Sequence, residues 1–137
     1  MQESYFNNTI IHFRAKMATK TNATTKACIN YLHLVGFKAW RNNNGAVYSV
    51  KRGTFLKNPN HLLGVPDIIG HSKVTGQAVY VEIKTGNDRL SEAQILFINE
   101  AKNAGCAAFV IKDLDDLIDQ MNAKGNAGEG VDVEIRP

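Results

Sequence analysis

The sequence predicts an α/β domain in which one mixed β-sheet is flanked by helices. Apolar and polar residues alternate over residues 79–83, a period of two that is typical of a β-strand with one apolar face. A well-signalled helix follows over residues 90–105, and the buried strand "CAAFVI" comes directly after it. Because one helix separates these two strands, a right-handed crossover with parallel pairing is expected. The predicted order of elements is αβββαβα.

The first of these elements is a helix over residues 24–35, with Asn22 as its N-cap and Gly36 at the left-handed C′ position. Its predicted apolar side comprises Cys28, Leu32 and Val35. The stretch "FKAWR" follows as a strand, in which Trp40 is expected to join the core. Residues 46–63 are basic, polar and irregular, which predicts either a functional loop or a loose hairpin.

The segments "GVPDIIG" and "QAVYVEIK" are predicted to form an antiparallel hairpin. If its turn is centred on Val74–Thr75, Asp67 stands directly across from Glu82, with Cβ atoms about 5 Å apart. Two carboxylates at that distance repel by roughly 3 kcal/mol in an effective dielectric of ~20. A cation between them would remove this repulsion, and Mg²⁺ or Mn²⁺ prefers such oxygen ligands. Lys84 lies on the same strand face, where it can hold or deprotonate an attacking water.

The next helix, "LSEAQILFINEAKNAG", carries its own start and stop signals. Ser91 and Gln94 form a capping box, Leu90 and Ile95 a hydrophobic staple, and Gly105 the C-cap. The Gln94 side chain shares a helical face with apolar residues, so it is also expected to point toward the sheet that bears Glu82. The last predicted helix covers residues 114–122, and its apolar residues are Leu114, Leu117, Ile118 and Met121.

Composition is that of a globular domain, with 44% hydrophobic and 21% charged residues in 137. No apolar run approaches the ~20 residues that a membrane span requires, so no membrane partner is expected. The two cysteines have no metal-ligand spacing, and buried free thiols in a cytoplasmic protein are the favoured interpretation. We expect an N-terminal arm at residues 1–21, a single domain at 22–122 and a flexible tail at 123–137.

Charge is distributed unevenly along the chain. Residues 1–60 hold nine Lys or Arg residues and one acid, whereas residues 61–137 hold seven and twelve. A basic surface that contacts a polyanion and an ordinary solvated face are both open on charge alone. The candidate nucleic-acid-binding residues are Lys38, Arg41, Asn43, Lys51, Arg52, Lys57 and Arg89.

The motif "GVPDIIG", followed after fifteen residues by "VEIKTGNDRLSEAQ", resembles the PD-(D/E)XK nuclease superfamily. More closely it is similar to the VRR-NUC group of stand-alone bacterial and phage proteins, which also supplies the nuclease module of the Fanconi-associated nuclease. The resemblance implies that Asp67, Glu82 and the carbonyl of Ile83 are metal ligands. It further implies that Lys84 is the catalytic lysine and that Gln94 acts near the metal or the phosphate.

One feature departs from this family pattern. Many relatives carry a glutamate at the start of the first helix, whereas residues 23–27 contain no carboxylate and Glu3 is the only acid before Asp67. Either the arm delivers Glu3 to the site or the site works with fewer acids.

The predicted function is that of a Mg²⁺- or Mn²⁺-dependent DNA endonuclease. The resemblance implies branched DNA such as four-way (Holliday) junctions as substrate, 5′-phosphate products and a homodimer. The alternatives are a flap-selective nuclease and a catalytically silent nucleic-acid-binding module on the same fold. A hydrolase of small phosphoesters is a third possibility. It is disfavoured because the sequence contains no phosphate-binding Gly-rich loop.

Overall fold

A four-stranded mixed sheet lies at the centre of the part of the chain that the computed structural model describes, residues 22–43, 46–57 and 62–126. Helix α1 covers residues 22–34. The remaining elements are β1 (Phe37–Arg41), β2 (Val47–Ser49), β3 (Thr54–Leu56), β4 (Ile68–Ser72), β5 (Ala78–Ile83), α2 (Glu92–Asn103), β6 (Ala107–Ile111) and α3 (Leu114–Asn126). The predicted arm, and the predicted tail from residue 127 onward, lie outside the described residues.

The sheet has the strand order β1-β4-β5-β6. Strands β4 and β5 pair antiparallel with Ile68 opposite Val81 and His71 opposite Ala78, which confirms the predicted hairpin register. Strands β5 and β6 pair parallel across helix α2, as the crossover rule predicts. The mixed sheet with its flanking helices is therefore the predicted α/β architecture.

One face of the sheet is covered by helices α1 and α3, and we call it the core face. Its buried side chains include Ile68, Val79, Val81 and Phe109, which pack with Cys28 and Leu32 of α1 and Leu117 of α3. The pKa of the Cys28 thiol is raised to about 11 by burial and by the nearby Asp113 carboxylate, so this cysteine stays protonated. Gly36 ends α1 with a φ of 94°, as predicted.

The opposite face carries Trp40, Ile69, Tyr80, Glu82, Ala108 and Val110, because paired residues share a face and neighbours along a strand alternate. We call it the Glu82 face. Helix α2 covers its β5–β6 half, where Ile98 and Ala101 pack on Ala108 and the Phe97 ring meets Tyr80 edge-on at 5.0 Å. The β1–β4 half carries exposed side chains.

Several sequence predictions need correction. Cys106 is only half-buried, whereas both cysteines are predicted to be buried, and Asn22 lies within α1 rather than at its N-cap position. Trp40 is not in the core: it is 47% exposed, because no helix of the described chain packs over its half of the Glu82 face. Val35 lies in the turn after α1 and is exposed. Helix α3 continues to Asn126, past the predicted end at residue 122.

The segment 46–63 contains the loose hairpin that was one of the two predicted alternatives. Strands β2 and β3 pair antiparallel, with Tyr48 opposite Phe55, and form a separate two-stranded sheet. The two rings meet edge-on with centroids 5.1 Å apart, and both side chains are exposed. No helix in the described residues has the length and apolarity that a bilayer crossing demands.

Candidate active site

Asp67 is held at the entrance to β4 by hydrogen bonds to both neighbouring strands. The Ile83 N–H of β5 donates to the Asp67 carboxylate oxygen Oδ2 at 2.8 Å. The Asn42 N–H donates to the Asp67 backbone carbonyl at 2.7 Å, continuing the β1–β4 pairing beyond its last strand residue. The carboxylate therefore replaces one bond of the sheet ladder and has a fixed position.

Glu82 is the buried carboxylate of the site, with only 3% of its surface exposed. Ile68 pairs with Val81 in the antiparallel register of β4 and β5. Asp67 precedes Ile68 and Glu82 follows Val81, so the two acids lie opposite each other, as predicted. Burial raises the pKa of Glu82, the Asp67 charge raises it further, and the Lys84 ammonium lowers it. The direction is the one expected for two acids held together partly out of water.

Lys84 supplies a positive charge at this pair. Its Nζ atom lies 3.4 Å from Glu82 Oε1, and its side chain is 21% exposed. The Lys84 N–H donates to the Ile111 carbonyl at 2.8 Å, which extends the β5–β6 ladder and fixes the backbone below the side chain. A cation that is tied to the sheet and still reaches solvent is suited to contact a phosphate.

Gln94 occupies both of its predicted positions at once. Its Oε1 accepts from the Ser91 N–H at 2.9 Å and the Ser91 hydroxyl accepts from the Gln94 N–H at 3.2 Å, which completes the capping box. Its Nε2 donates to Glu82 Oε1 at 2.7 Å. The start of helix α2 therefore orients the buried carboxylate directly.

Gly64 positions the site through its close packing on the first turn of α2, a role that no pattern in the sequence predicts. Its φ of 82° is in the left-handed region, and a Cβ at this position would collide with the backbone of Ala93 and Gln94. The loop that leads into Asp67 thus packs against the first turn of α2, and this contact brings Gln94 to the same place. The only sequence signal for it is the glycine of "GVPD".

The predicted nucleic-acid-binding residues fall into separate places. Lys38 is exposed on the Glu82 face of β1, and Lys51 and Arg52 lie in the β2–β3 turn. Arg41 faces the other side of the sheet, where its Nη1 donates to Asn22 Oδ1 of α1 at 2.7 Å. Asn43, Lys57 and Arg89 are exposed in loops. The structure thus groups Asp67, Glu82, Lys84 and Gln94 and leaves these cations dispersed around them.

The donor set fits one hard divalent cation. Asp67 and Glu82 offer carboxylate oxygens, and the pKa of Glu82 is raised first by burial and then by the Asp67 charge, which a bound cation would offset. Mg²⁺ is commonly bound through one or two carboxylates with water completing its shell. Within the described ranges, no group of three or more His, Cys, Asp or Glu side chains could hold a metal. Glu3 lies outside those ranges, so its predicted role stays a prediction.

Comparison with known families identifies the family to which the chain belongs. A model of the VRR-NUC domain matches residues 37–113, which include β1 to β6 and the whole Asp67–Gln94 arrangement. The match spans more than half of the chain, and the chain belongs to the VRR-NUC family. It is therefore a nuclease domain, and its sheet is compatible with the PD-(D/E)XK-like fold. Neither a curated protein nor a solved structure gives a significant match.

Proposed function

We propose that the protein is a divalent-metal-dependent DNA endonuclease whose active residues are Asp67, Glu82, Lys84 and Gln94. The observation that carries this proposal is the burial of Glu82 beside Asp67, with Lys84 at 3.4 Å and Gln94 at 2.7 Å from the same oxygen. A fold gains nothing in stability from a buried carboxylate next to a second acid. Such an arrangement is typical of a functional site.

The residues divide the chemistry among them. Asp67 and Glu82, with the Ile83 carbonyl, would hold Mg²⁺ or Mn²⁺, which when bound polarises the scissile phosphate and offsets its charge. Lys84 holds the attacking water and stabilises the negative charge that develops on the phosphoryl oxygens. Gln94 keeps the Glu82 carboxylate in one orientation. Water attacks phosphorus as the bond to the 3′ oxygen breaks, which leaves a 5′-phosphate.

Branched DNA is the proposed substrate, with four-way junctions as its leading form. The family resemblance to stand-alone junction-cleaving relatives supports this choice, and the exposed basic residues at positions 38, 51, 52 and 57 supply phosphate contacts. A flap-selective nuclease uses the same site and differs only in the DNA that it accepts. The acid pair disfavours a silent binding module, because two carboxylates facing a polyanion weaken binding.

The test is a cleavage assay on duplex, flap, splayed and four-way DNA with Mg²⁺, Mn²⁺ or EDTA. Cleavage should require the metal and should fall by about 10²–10⁴-fold in each of Asp67→Ala, Glu82→Ala and Lys84→Ala. Calorimetry should show weaker Mn²⁺ binding in the two carboxylate variants. Lys73→Ala, an exposed cation in the β4–β5 turn, is the matched control and should cleave normally. Undiminished Mn²⁺ binding in both carboxylate variants would remove the metal site.

A further inference from the structure

An exposed aromatic strip lies on the half of the Glu82 face that helix α2 leaves uncovered. Trp40 is 47% exposed, and its ring meets the His71 ring edge-on with centroids 6.3 Å apart. Lys38 lies opposite His71 in the β1–β4 register, on the same face, and it is also exposed. By contrast Tyr80, in the same row of the sheet as Trp40, is covered by Phe97.

This strip is adjacent to the candidate active site. Trp40 pairs with Ile69, which is two residues along β4 from Asp67 and therefore one row away on the same face. A two-residue step and one strand spacing place the Trp40 Cα about 8 Å from the Asp67 Cα. Glu82, one strand farther, lies about 12 Å away by the same geometry. Trp40 and the acid pair therefore lie on one sheet face, close enough for a single short stretch of DNA strand to contact both.

We propose that Trp40 is a stacking platform for one unpaired base of the substrate strand, with Lys38 contacting the adjoining phosphate. This rests on the proposed function, and it specifies the substrate as DNA with an unpaired or splayed nucleotide beside the cut. Three features favour a nucleic-acid base as the occupant: the flat exposed indole, the cation beside it and the direct continuity with the phosphate-cleaving site. Base stacking on aromatic side chains is tolerant of sequence and contributes substantially to single-strand binding.

The experiment uses the fact that Trp40 is the only tryptophan of the chain. Full-length protein in EDTA, which prevents cutting, is titrated with a short oligothymidylate, with the same strand carrying abasic sites and with a blunt duplex of equal length. Tryptophan emission should be quenched by the oligothymidylate and should change little with the other two. Acrylamide should quench the free protein and should lose access to the ring when the oligothymidylate is bound.

Variants supply an independent measurement by fluorescence anisotropy of labelled DNA. Trp40→Ala should weaken oligothymidylate binding by about 5- to 150-fold, whereas Trp40→Phe keeps a stacking surface and should lose far less. Val74→Ala, an exposed apolar residue in the β4–β5 turn at the far end of the sheet, is the control. Cleavage of splayed DNA by Trp40→Ala should show a raised KM with kcat near wild type.

Several results would overturn the platform. Equal quenching by the blunt duplex, or unchanged oligothymidylate binding in Trp40→Ala, would show that no base stacks there. A ring that acrylamide cannot reach in the free chain, or emission that shifts with protein concentration alone, would show that this chain or a second copy covers it. Quenching without any metal-dependent cleavage would instead overturn the nuclease proposal and leave the platform standing.

Discussion

At the scale of single residues, Glu82 has the most unusual environment. It is a carboxylate with 3% of its surface exposed, one residue from the Ile83 N–H that binds Asp67. Two donors meet its Oε1 atom, one from Gln94 and one from Lys84. These contacts fix the carboxylate, yet the direction of its pKa shift shows that burial and Asp67 together outweigh them.

This balance predicts how stability depends on pH. Because burial raises the pKa of Glu82 in the folded protein above its ordinary value of 4.5, its contribution to stability is full below that value and is lost as pH rises through the folded-state pKa. Glu82→Gln removes this loss and still accepts the hydrogen bond from Gln94. The metal-free variant should therefore be more stable than wild type at pH 7, and the difference should disappear toward pH 4.5.

Urea denaturation in EDTA across this pH range measures the effect. Adding Mg²⁺ should raise the Tm of wild type more than that of Glu82→Gln, because only the wild-type protein keeps both charged ligands. A variant that is less stable than wild type at every pH would contradict the proposed electrostatic cost.

Gln94 allows its two roles to be separated. Gln94→Ala removes the hydrogen bond to Glu82 together with half of the capping box, whereas Ser91→Ala removes only the cap. Both should lower the free energy of unfolding by about 0.5–2 kcal/mol. Only Gln94→Ala should also reduce cleavage, by about 10- to 100-fold, as for other groups that orient a metal ligand. Equal cleavage rates in the two variants would make Gln94 a capping residue alone.

At the scale of elements, the β2–β3 hairpin is the largest departure from the central sheet. It belongs to the excursion between β1 and β4, whose two ends meet where the Asn42 N–H binds the Asp67 carbonyl. Five residue steps separate Asn42 from Val47, so the hairpin begins at most about 18 Å from Asn42, which is hydrogen-bonded to Asp67. A basic turn with exposed aromatic side chains is thus connected directly to the candidate site.

Lys51 and Arg52 in this turn should contact DNA phosphates. The log of the affinity should fall with the log of the salt concentration, with a slope near −0.9 for each phosphate neutralised. The double variant Lys51→Ala and Arg52→Ala should make that slope shallower by up to about 2. A matched pair, Lys26→Ala and Lys73→Ala, removes two exposed cations from α1 and the β4–β5 turn and should leave it unchanged. If the two double variants have the same slope of log affinity against log salt concentration, Lys51 and Arg52 do not contact DNA and the turn is an ordinary solvated surface.

At the scale of the whole molecule, the proposed cleavage of a four-way junction in two strands requires two copies of the site. A twofold homodimer supplies them, because an isologous interface places two identical sites on one assembly. The sequence offers two candidate interfaces, the apolar side of the last helix with Leu117 and Met121, and the apolar residues Tyr5, Phe6, Ile10, Ile11 and Phe13 of the arm. The first is wrong, because Leu117 is fully buried and Met121 packs against the core. The second lies outside the described residues and stays a prediction.

We therefore expect a dimer of about 30 kDa, twice the 15.1 kDa of one chain. It should cut a four-way junction in two strands at symmetry-related positions. Light scattering of the free protein and of its junction complex measures the mass. Replacing Phe6 and Ile10 by Ser should dissociate the dimer, and the single-strand nicking activity of each site should persist. A 15.1 kDa wild-type monomer that binds junctions and nicks flaps would refute the dimer.

Local structure and the resemblance to the family follow from patterns that can be read in the sequence alone. Alternation of polar and apolar residues, with the turn at Val74–Thr75, was enough to place Asp67 beside Glu82, because register in a short hairpin follows from the turn. The capping box likewise marked the start of α2 correctly. Both features are set by residues close together in the chain, and the same short sequence patterns accompany the same backbone geometry in other proteins. They can therefore be predicted without knowledge of the tertiary structure.

Which surfaces are covered depends on how distant elements pack, and this was not predictable from the sequence. Trp40 follows the pattern of a core residue, yet it is exposed because α2 crosses the other half of its face. Leu117 is an apolar residue of α3 that could have faced a partner, yet it is fully buried because α3 packs it against the core face of the sheet. The contact of Gly64 with Ala93 joins segments about thirty residues apart and has no local signature. Burial depends on where distant elements pack, and the pattern within one element does not contain that information.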